Sequence, residues 1–234
     1  MKTALRIAAL ALALATPLAA VALAPVQPFS ATYEVRRNGD VLGEATFSLA
    51  RDGANWRFSA ATRGTAGMAR IAGVRIDEVS YFRYVDGRPE TLRYRFDQKT
   101  SFNSRQRSAD VDAAAGRVAL VNKGERVDVP FVAGVVDRQL LTVALMQAVA
   151  AGRRGEQTLQ VLGRRDIEAQ VWDIEAKEQV EGLGLAWRLE RERDTPDGRS
   201  TVIWLDDDAG HLPLRIEQRE DDGEVIDMRM IRRG

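Results

Sequence analysis

The chain carries one histidine, no cysteine and 34 acidic side chains. A single imidazole, His211, cannot form a His-rich zinc site, because no second nitrogen ligand of that kind exists. His211 follows Asp206-Asp207-Asp208, and no G-x-S-x-G elbow is present to offer a nucleophilic serine. A turn-capping or surface role accounts for it better than a triad. The three aspartates with Gly210 resemble a calcium loop only faintly. An EF-hand needs acids at alternate positions and a closing Glu, whereas a solvated hairpin turn needs neither. Glu220, Asp221, Asp222 and Glu224 form another such charged turn. Gly64-Thr65-Ala66-Gly67 lacks the Lys-Ser/Thr that would hold a nucleotide. The acids offer too many pairs to nominate a glycosidase dyad. Absence of cysteine excludes disulfides, thiolate nucleophiles, Cys metal sites and a Cys-linked lipid anchor. The expectation is a protein with no catalytic residues, no metal and no cofactor, and hence not an enzyme.

Charge points the same way. The 34 Lys+Arg balance the 34 Asp+Glu, so a nucleic-acid partner, which favours a basic excess, is not expected. Lysine occurs only at Lys2, Lys99, Lys123 and Lys177, and the other cations are arginine. Genomic base composition explains this blandly. Recognition of carboxylate or phosphate by guanidinium forks explains it functionally.

Residues 1–24 have the three parts of an export signal. Lys2 and Arg6 give a positive start, an Ala/Leu-rich run follows from Ile7, and Ala20-Val21-Ala22 and Ala22-Leu23-Ala24 end it with small residues. Cleavage after Ala22 is expected, because cleavage after Ala24 would leave Pro25 first. Removal of residues 1–22 takes away Lys2 and Arg6 and leaves a net charge of −2. The apolar run is short for a membrane span and contains Pro17. The periplasm is the expected compartment.

The elements behind the signal read as strands. Phe29, Ala31, Tyr33 and Val35 alternate with polar residues up to Asn38-Gly39, a pair that tolerates positive φ and turns a hairpin. Val41, Gly43, Ala45, Phe47 and Leu49 continue on one face to Asp52-Gly53, and Trp56, Phe58 and Ala60 follow. Further strands are expected around Val79–Val85, Leu92–Phe96, Arg117–Val121 and Arg126–Val129, and in six segments from Thr158 to Ile231. Lys99 to Arg107 reads as a strand end and loop. Residues 64–74 read as an apolar loop or short helical turn. One convincing helix spans 137–151. Asp137 can cap it, Leu140, Leu141, Ala144, Leu145 and Ala148 recur at helical spacing, and Gly152 stops it. Its remaining face is also apolar, so it must be buried against a sheet. The predicted fold is mainly β: a single domain over 25–234, built as a single curved antiparallel sheet or open half-barrel wrapped around a central buried helix.

The order of these features resembles the bacterial family called domain of unknown function 3108. The residues that carry the likeness are Tyr33, Val41-Leu42-Gly43-Glu44-Ala45, and Asp137 before Leu140-Leu141. It continues in Val202-Ile203-Trp204-Leu205-Asp206 and His211-Leu212-Pro213-Leu214-Arg215-Ile216. That last pair of segments also resembles the periplasmic lipoprotein carriers LolA and LolB. The resemblance implies a curved sheet with an apolar interior, which in the carriers holds acyl chains. It supplies no functional residue that could be carried over.

A carrier or binding module for an apolar, acyl-chain ligand is the leading expectation, since such a ligand gains about 0.8 kcal/mol per buried methylene. Candidate lining residues are Phe47, Trp56, Phe58, Tyr94, Phe96, Leu141, Leu145, Trp187 and Trp204, with Met68 and Ile71 as a gate. The tryptophans serve equally as plain core residues. The competing expectation is a structural or protein-interaction component of the cell envelope with a filled core. An empty pocket of a few hundred cubic ångströms separates the two.

Overall fold

Two adjacent residues of positive φ turn a chain tightly enough to fold one strand back on another. Asn38 and Gly39 do so at φ 50° and 92°, Asp86 and Gly87 at 49° and 75°, and Lys123 and Gly124 at 54° and 82°. A computed structural model describes residues 24–192, 198–208 and 210–234. The expected signal, residues 1–22, lies outside the described residues, as does most of the Thr195-Pro196-Asp197-Gly198 turn.

Eight strands come first: β1 (Phe29–Arg37), β2 (Asp40–Asp52), β3 (Asn55–Gly64), β4 (Arg75–Val85), β5 (Arg88–Lys99), β6 (Ser104–Asp112), β7 (Arg117–Asn122) and β8 (Glu125–Pro130). A short helix, α1 (Gly67–Ile71), joins β3 to β4, and α2 (Leu140–Ala150) follows β8. Six strands complete the chain: β9 (Gly155–Leu162), β10 (Ile167–Val180), β11 (Gly184–Arg191), β12 (Ser200–Asp206), β13 (Pro213–Arg219) and β14 (Val225–Arg233). All fourteen form one antiparallel sheet in the order β8-β7-β6-β5-β4-β3-β2-β1-β14-β13-β12-β11-β10-β9. The first strand thus pairs with the last, and the sheet is left open between β8 and β9, which flank the helix in sequence.

Two elements differ from the sequence reading. The stretch Lys99–Arg107 is not mostly loop, because β6 begins at Ser104 and pairs along its length with β5. Its inward positions are arginines, which hide the usual apolar alternation. The helix is shorter than 137–151, since Asp137 caps it from outside rather than forming its first turn.

α2 is apolar all round and nearly every residue from Leu140 to Val149 is buried. Both ends are tied to the sheet. At its start, Asp137 contacts Ser80 of β4 and Thr91 of β5. On its last turn, the Gln147 side-chain amide donates to the carbonyls of Gly87 and Ala24 at 2.8 and 2.9 Å. The segment before the helix crosses the open side of the sheet. Thr91 N–H donates to Val135 O, Val136 N–H donates to Gln160 O, and Leu162 N–H donates to Val136 O, each at 2.9 Å. Sheet, crossing segment and helix enclose a main core around α2 and a second cluster of Tyr94, Phe96, Ala109, Val118, Leu120, Val135 and Leu162.

Gly43 shows why the β2–β3 end admits no side chain. A Cβ there would stand 2.0 Å from the Arg63 carbonyl oxygen across the strand pair. The chain after Gly64 also returns over this point, with Thr65 and Ala66 N–H both donating to Leu42 O. Backbone cannot yield as a flexible side chain can, so Gly43→Ala is expected to cost about 1–3 kcal/mol, read from the urea unfolding midpoint. An unchanged midpoint would show that this strand pair relaxes freely.

Candidate functional site

The most polar group in the interior is Asp137, which is fully buried. Ser80 Oγ donates to its Oδ1 at 2.7 Å and Thr91 Oγ1 donates to its Oδ2 at 2.9 Å. The backbone N–H groups of Gln139 and Leu140 donate to Oδ1 at 3.0 and 2.9 Å. Asp137 N–H returns a bond to Thr91 Oγ1 at 2.8 Å. Burial raises the carboxyl to about 6, against the pull of these donors. Both carboxylate oxygens hold α2 against β4 and β5, so the geometry is that of a structural anchor. Beside it, Tyr94 donates its hydroxyl to Glu78, and Arg138 Nε lies 3.3 Å from the same carboxylate. Burial is the main cause that raises the Tyr94 phenol, with the Glu78 charge second.

The nine expected cavity residues fall in different surroundings. Phe47, Trp56, Phe58, Leu141 and Leu145 pack together in the main core. Tyr94 and Phe96 belong to the second cluster. Trp187 is only partly buried, with the Arg154 guanidinium 3.4 Å and the Lys177 amine 4.7 Å from its ring centre. Trp204 is buried as part of the main core and pairs across the sheet with Arg188 of β11 and Arg215 of β13. It is covered by Arg215, 4.7 Å from its ring, and its indole N–H bonds Glu178. Met68 and Ile71 sit on α1 and are exposed. His211 occupies a turn at φ 47°, its Nδ1 2.8 Å from Asp206 O, and burial lowers its pKa.

Neither of two well-formed cavities lies between the sheet and α2. The first, about 550 Å³, includes Ser59, Ala61, Val79, Tyr81, Ser108 and Val121 in its lining. These positions alternate with core residues such as Phe58, Ser80, Ala109 and Leu120, which places the groove on the outer face of β3–β7. Phe96 is the one residue of the expected nine that contributes to it. Its charges balance, as Arg57 and Arg95 face Asp77 and Asp97.

The second cavity, about 460 Å³, is lined by Arg105, Arg107, Asn122, Lys123, Glu125, Arg164 and Arg165. Arg105 and Arg107 share the inward face of β6 with Ala109, and Asn122 shares the inward face of β7 with Leu120. Arg164 and Arg165 come from the β9–β10 turn across the open edge, where Arg165 pairs with Glu125. The cleft therefore bridges the gap between β8 and β9, on the inner side of the sheet. It abuts the second cluster, for the Arg107 guanidinium lies 5.4 Å from the Phe96 ring centre. The sequence reading singled out none of these residues as a site. Arg105-x-Arg107-x-Ala109, in register with inward positions, is the signal that could have found them.

Among the described residues no group of three or more His, Asp or Glu side chains is arranged to hold a metal, and no helix is long and apolar enough to cross a membrane. Comparison with curated proteins yields no match. Among solved structures, the chain is similar to a β-barrel-like protein of the domain of unknown function DUF1849 from Brucella abortus. That likeness has a TM-score of 0.53 at 11% identity, and covers 89% of this chain and 98% of the other. At such low identity it speaks for the barrel-like fold alone. The model of a family described as protein of unknown function (DUF3108) matches residues 31–230. With the match running from the first strand to the last, the chain belongs to the DUF3108 family.

Proposed function

We propose that this protein is a non-catalytic binding and interaction module of the cell envelope, exported to the periplasm, that works through its surface and not through a hollow interior. The observation that carries this reading is the placement of α2. Nearly every residue of the helix is buried against the sheet, and the two cavities described above lie elsewhere. A packed interior gains from burial what an empty one forfeits in lost contacts. The export signal read from residues 1–22 supports the compartment.

A second reading, a carrier for an apolar chain, draws on one specific feature. α2 is apolar on every side and the β8–β9 edge is unpaired, so outward movement of the helix would uncover an apolar trough.

Native mass spectrometry separates the two, using mature protein taken from a periplasmic extract without detergent. A bare mass for the chain beginning near residue 23 or 25 is the expected result. An added mass that organic solvent extracts would overturn the filled-core reading and identify the lipid class. Retention of the first residues, or absence from the periplasmic fraction, would overturn the export reading.

A further inference from the structure

Many of the sheet's arginines are paired with acids, whereas the basic cleft gathers several that are not. Arg95 lies 2.7 Å from Asp110, Arg215 lies 2.7 Å and Arg229 lies 2.9 Å from Asp227, and Arg63 lies 2.5 Å from Asp77. In the cleft, Arg105, Arg107, Lys123 and Arg164 converge, and among the described residues none has an ion-pair partner. The one acid present, Glu125, is engaged by Arg165. Like charges gathered in a concave site repel one another, and low-dielectric walls strengthen the field they create. Arg107 registers this. Burial first, then Arg164, Arg138 and Arg105, disfavour its charged form.

Orphan polar atoms mark the same place. Arg107 Nε and Asn122 Oδ1 are out of contact with solvent and have no hydrogen-bond partner in the protein. The two residues are cross-strand neighbours. A buried donor or acceptor left without a partner is destabilising, and a ligand bearing oxygens can supply what is missing. Guanidinium groups present their donors in a planar fork suited to phosphate. The Asn122 amide can donate or accept according to its rotation.

We propose that this cleft binds a phosphate-class anion, borne either by a lipid headgroup or by a soluble phosphate ester. The proposal rests on the binding-module reading and names what the open end of the half-barrel takes. Because the hairpins alternate, the loops after β3, β5, β7 and β9 share one end of the sheet. That end also carries Met68, Ile71 and Phe102, exposed by 72%, 70% and 91%. The β5–β6 loop is fastened to α1 there, with Ser101 N–H donating to Ala72 O at 2.8 Å. Cations beside exposed apolar side chains suit an anionic bilayer surface, so the lipid source is the favoured one.

The test titrates mature protein at low ionic strength with inorganic phosphate by calorimetry. In parallel, the protein is sedimented with phosphatidylglycerol vesicles and with phosphatidylcholine vesicles. Saturable phosphate binding is expected, weakened at least ten-fold in Arg164→Gln and in the double variant R105Q/R107Q. Arg57→Gln, on the outer groove, should leave it unchanged. Arg164 lies in an exposed turn, so that variant keeps the test sound if the double variant fails to fold. Binding to phosphatidylglycerol vesicles that the same variants weaken assigns the anion to lipid. Phosphate binding with no preference between vesicles assigns it to a soluble ester. Absence of binding to both phosphate and anionic vesicles, or binding that the cleft variants leave intact, overturns the proposal. Failure here is distinct from failure of the filled-core reading, because native mass reports on the interior and these titrations report on the cleft.

Discussion

Asp137→Ala is expected to remove about 3–5 kcal/mol of stability, an exceptional loss for one residue. The carboxylate accepts from two hydroxyls and two backbone N–H groups, all at 2.7–3.0 Å. Truncation leaves these donors in the interior with nothing to bond, at about 1–3 kcal/mol for each that cannot turn to another partner. It also uncaps α2, which costs about 1 kcal/mol by itself. Asp137→Asn should cost much less, because its carbonyl oxygen can keep the Ser80, Gln139 and Leu140 donors and its amide can face Thr91 Oγ1.

The pair of variants also predicts a pH dependence. An acid whose folded pKa is raised binds more protons folded than unfolded, so its contribution falls as pH rises. For Asp137 the folded value is about 6 against an ordinary 3.8. The part of its stabilisation that is linked to protonation is therefore complete below pH about 4, declines as pH rises, and is lost above pH about 6. Urea midpoints of wild type relative to Asp137→Asn should rise on acidification through that window. Parallel midpoints at pH 7 and pH 4.5 would show that the four donors hold the carboxyl at its ordinary value.

Leu145→Ala is the second large effect, expected to cost about 2–5 kcal/mol. Leu145 is fully buried, on the helix that the sheet wraps. Its removal leaves an apolar void flanked by a sheet that is hydrogen-bonded along its length and cannot collapse into the space. For a chain of this size the melting temperature should drop by roughly 5–15 °C. The variant also probes the functional reading. An engineered apolar cavity stays dry and accepts benzene. Benzene should raise the melting temperature of Leu145→Ala and leave wild type unmoved. A comparable rise in wild type would reveal vacant apolar space beside α2 and restore the carrier reading to first place.

Much of the architecture is written in local chemistry. Phe29 to Trp56 shows period two with an Asn-Gly and an Asp-Gly turn, and those residues form β1, β2 and the start of β3 in that register. Leu140 to Val149 is apolar at every helical angle, which only an enclosing sheet can satisfy, and α2 is enclosed. β6 escaped because alternation is recognised by apolar residues, and its inward positions near the open end are Arg105 and Arg107. They line the basic cleft, where Arg107 also reaches the Phe96 ring of the second cluster.

What a chain of this composition determines by itself is thus the strand periodicity, the turns, the burial of one helix, the lack of cysteine and the single histidine. These are properties of adjacent residues and of counts. Tertiary structure alone decided which face each residue served. Phe58 packs against the aromatic rings of β1 and β2, whereas Trp204, also buried, lies beneath Arg215 with its indole bonded to Glu178. It also decided that Arg107 and Arg164, 57 positions apart in the sequence, line one cleft. Pairing of β1 with β14 joins the two halves of the sheet, and the open edges face each other where Arg165 meets Glu125, an arrangement that no local pattern encodes.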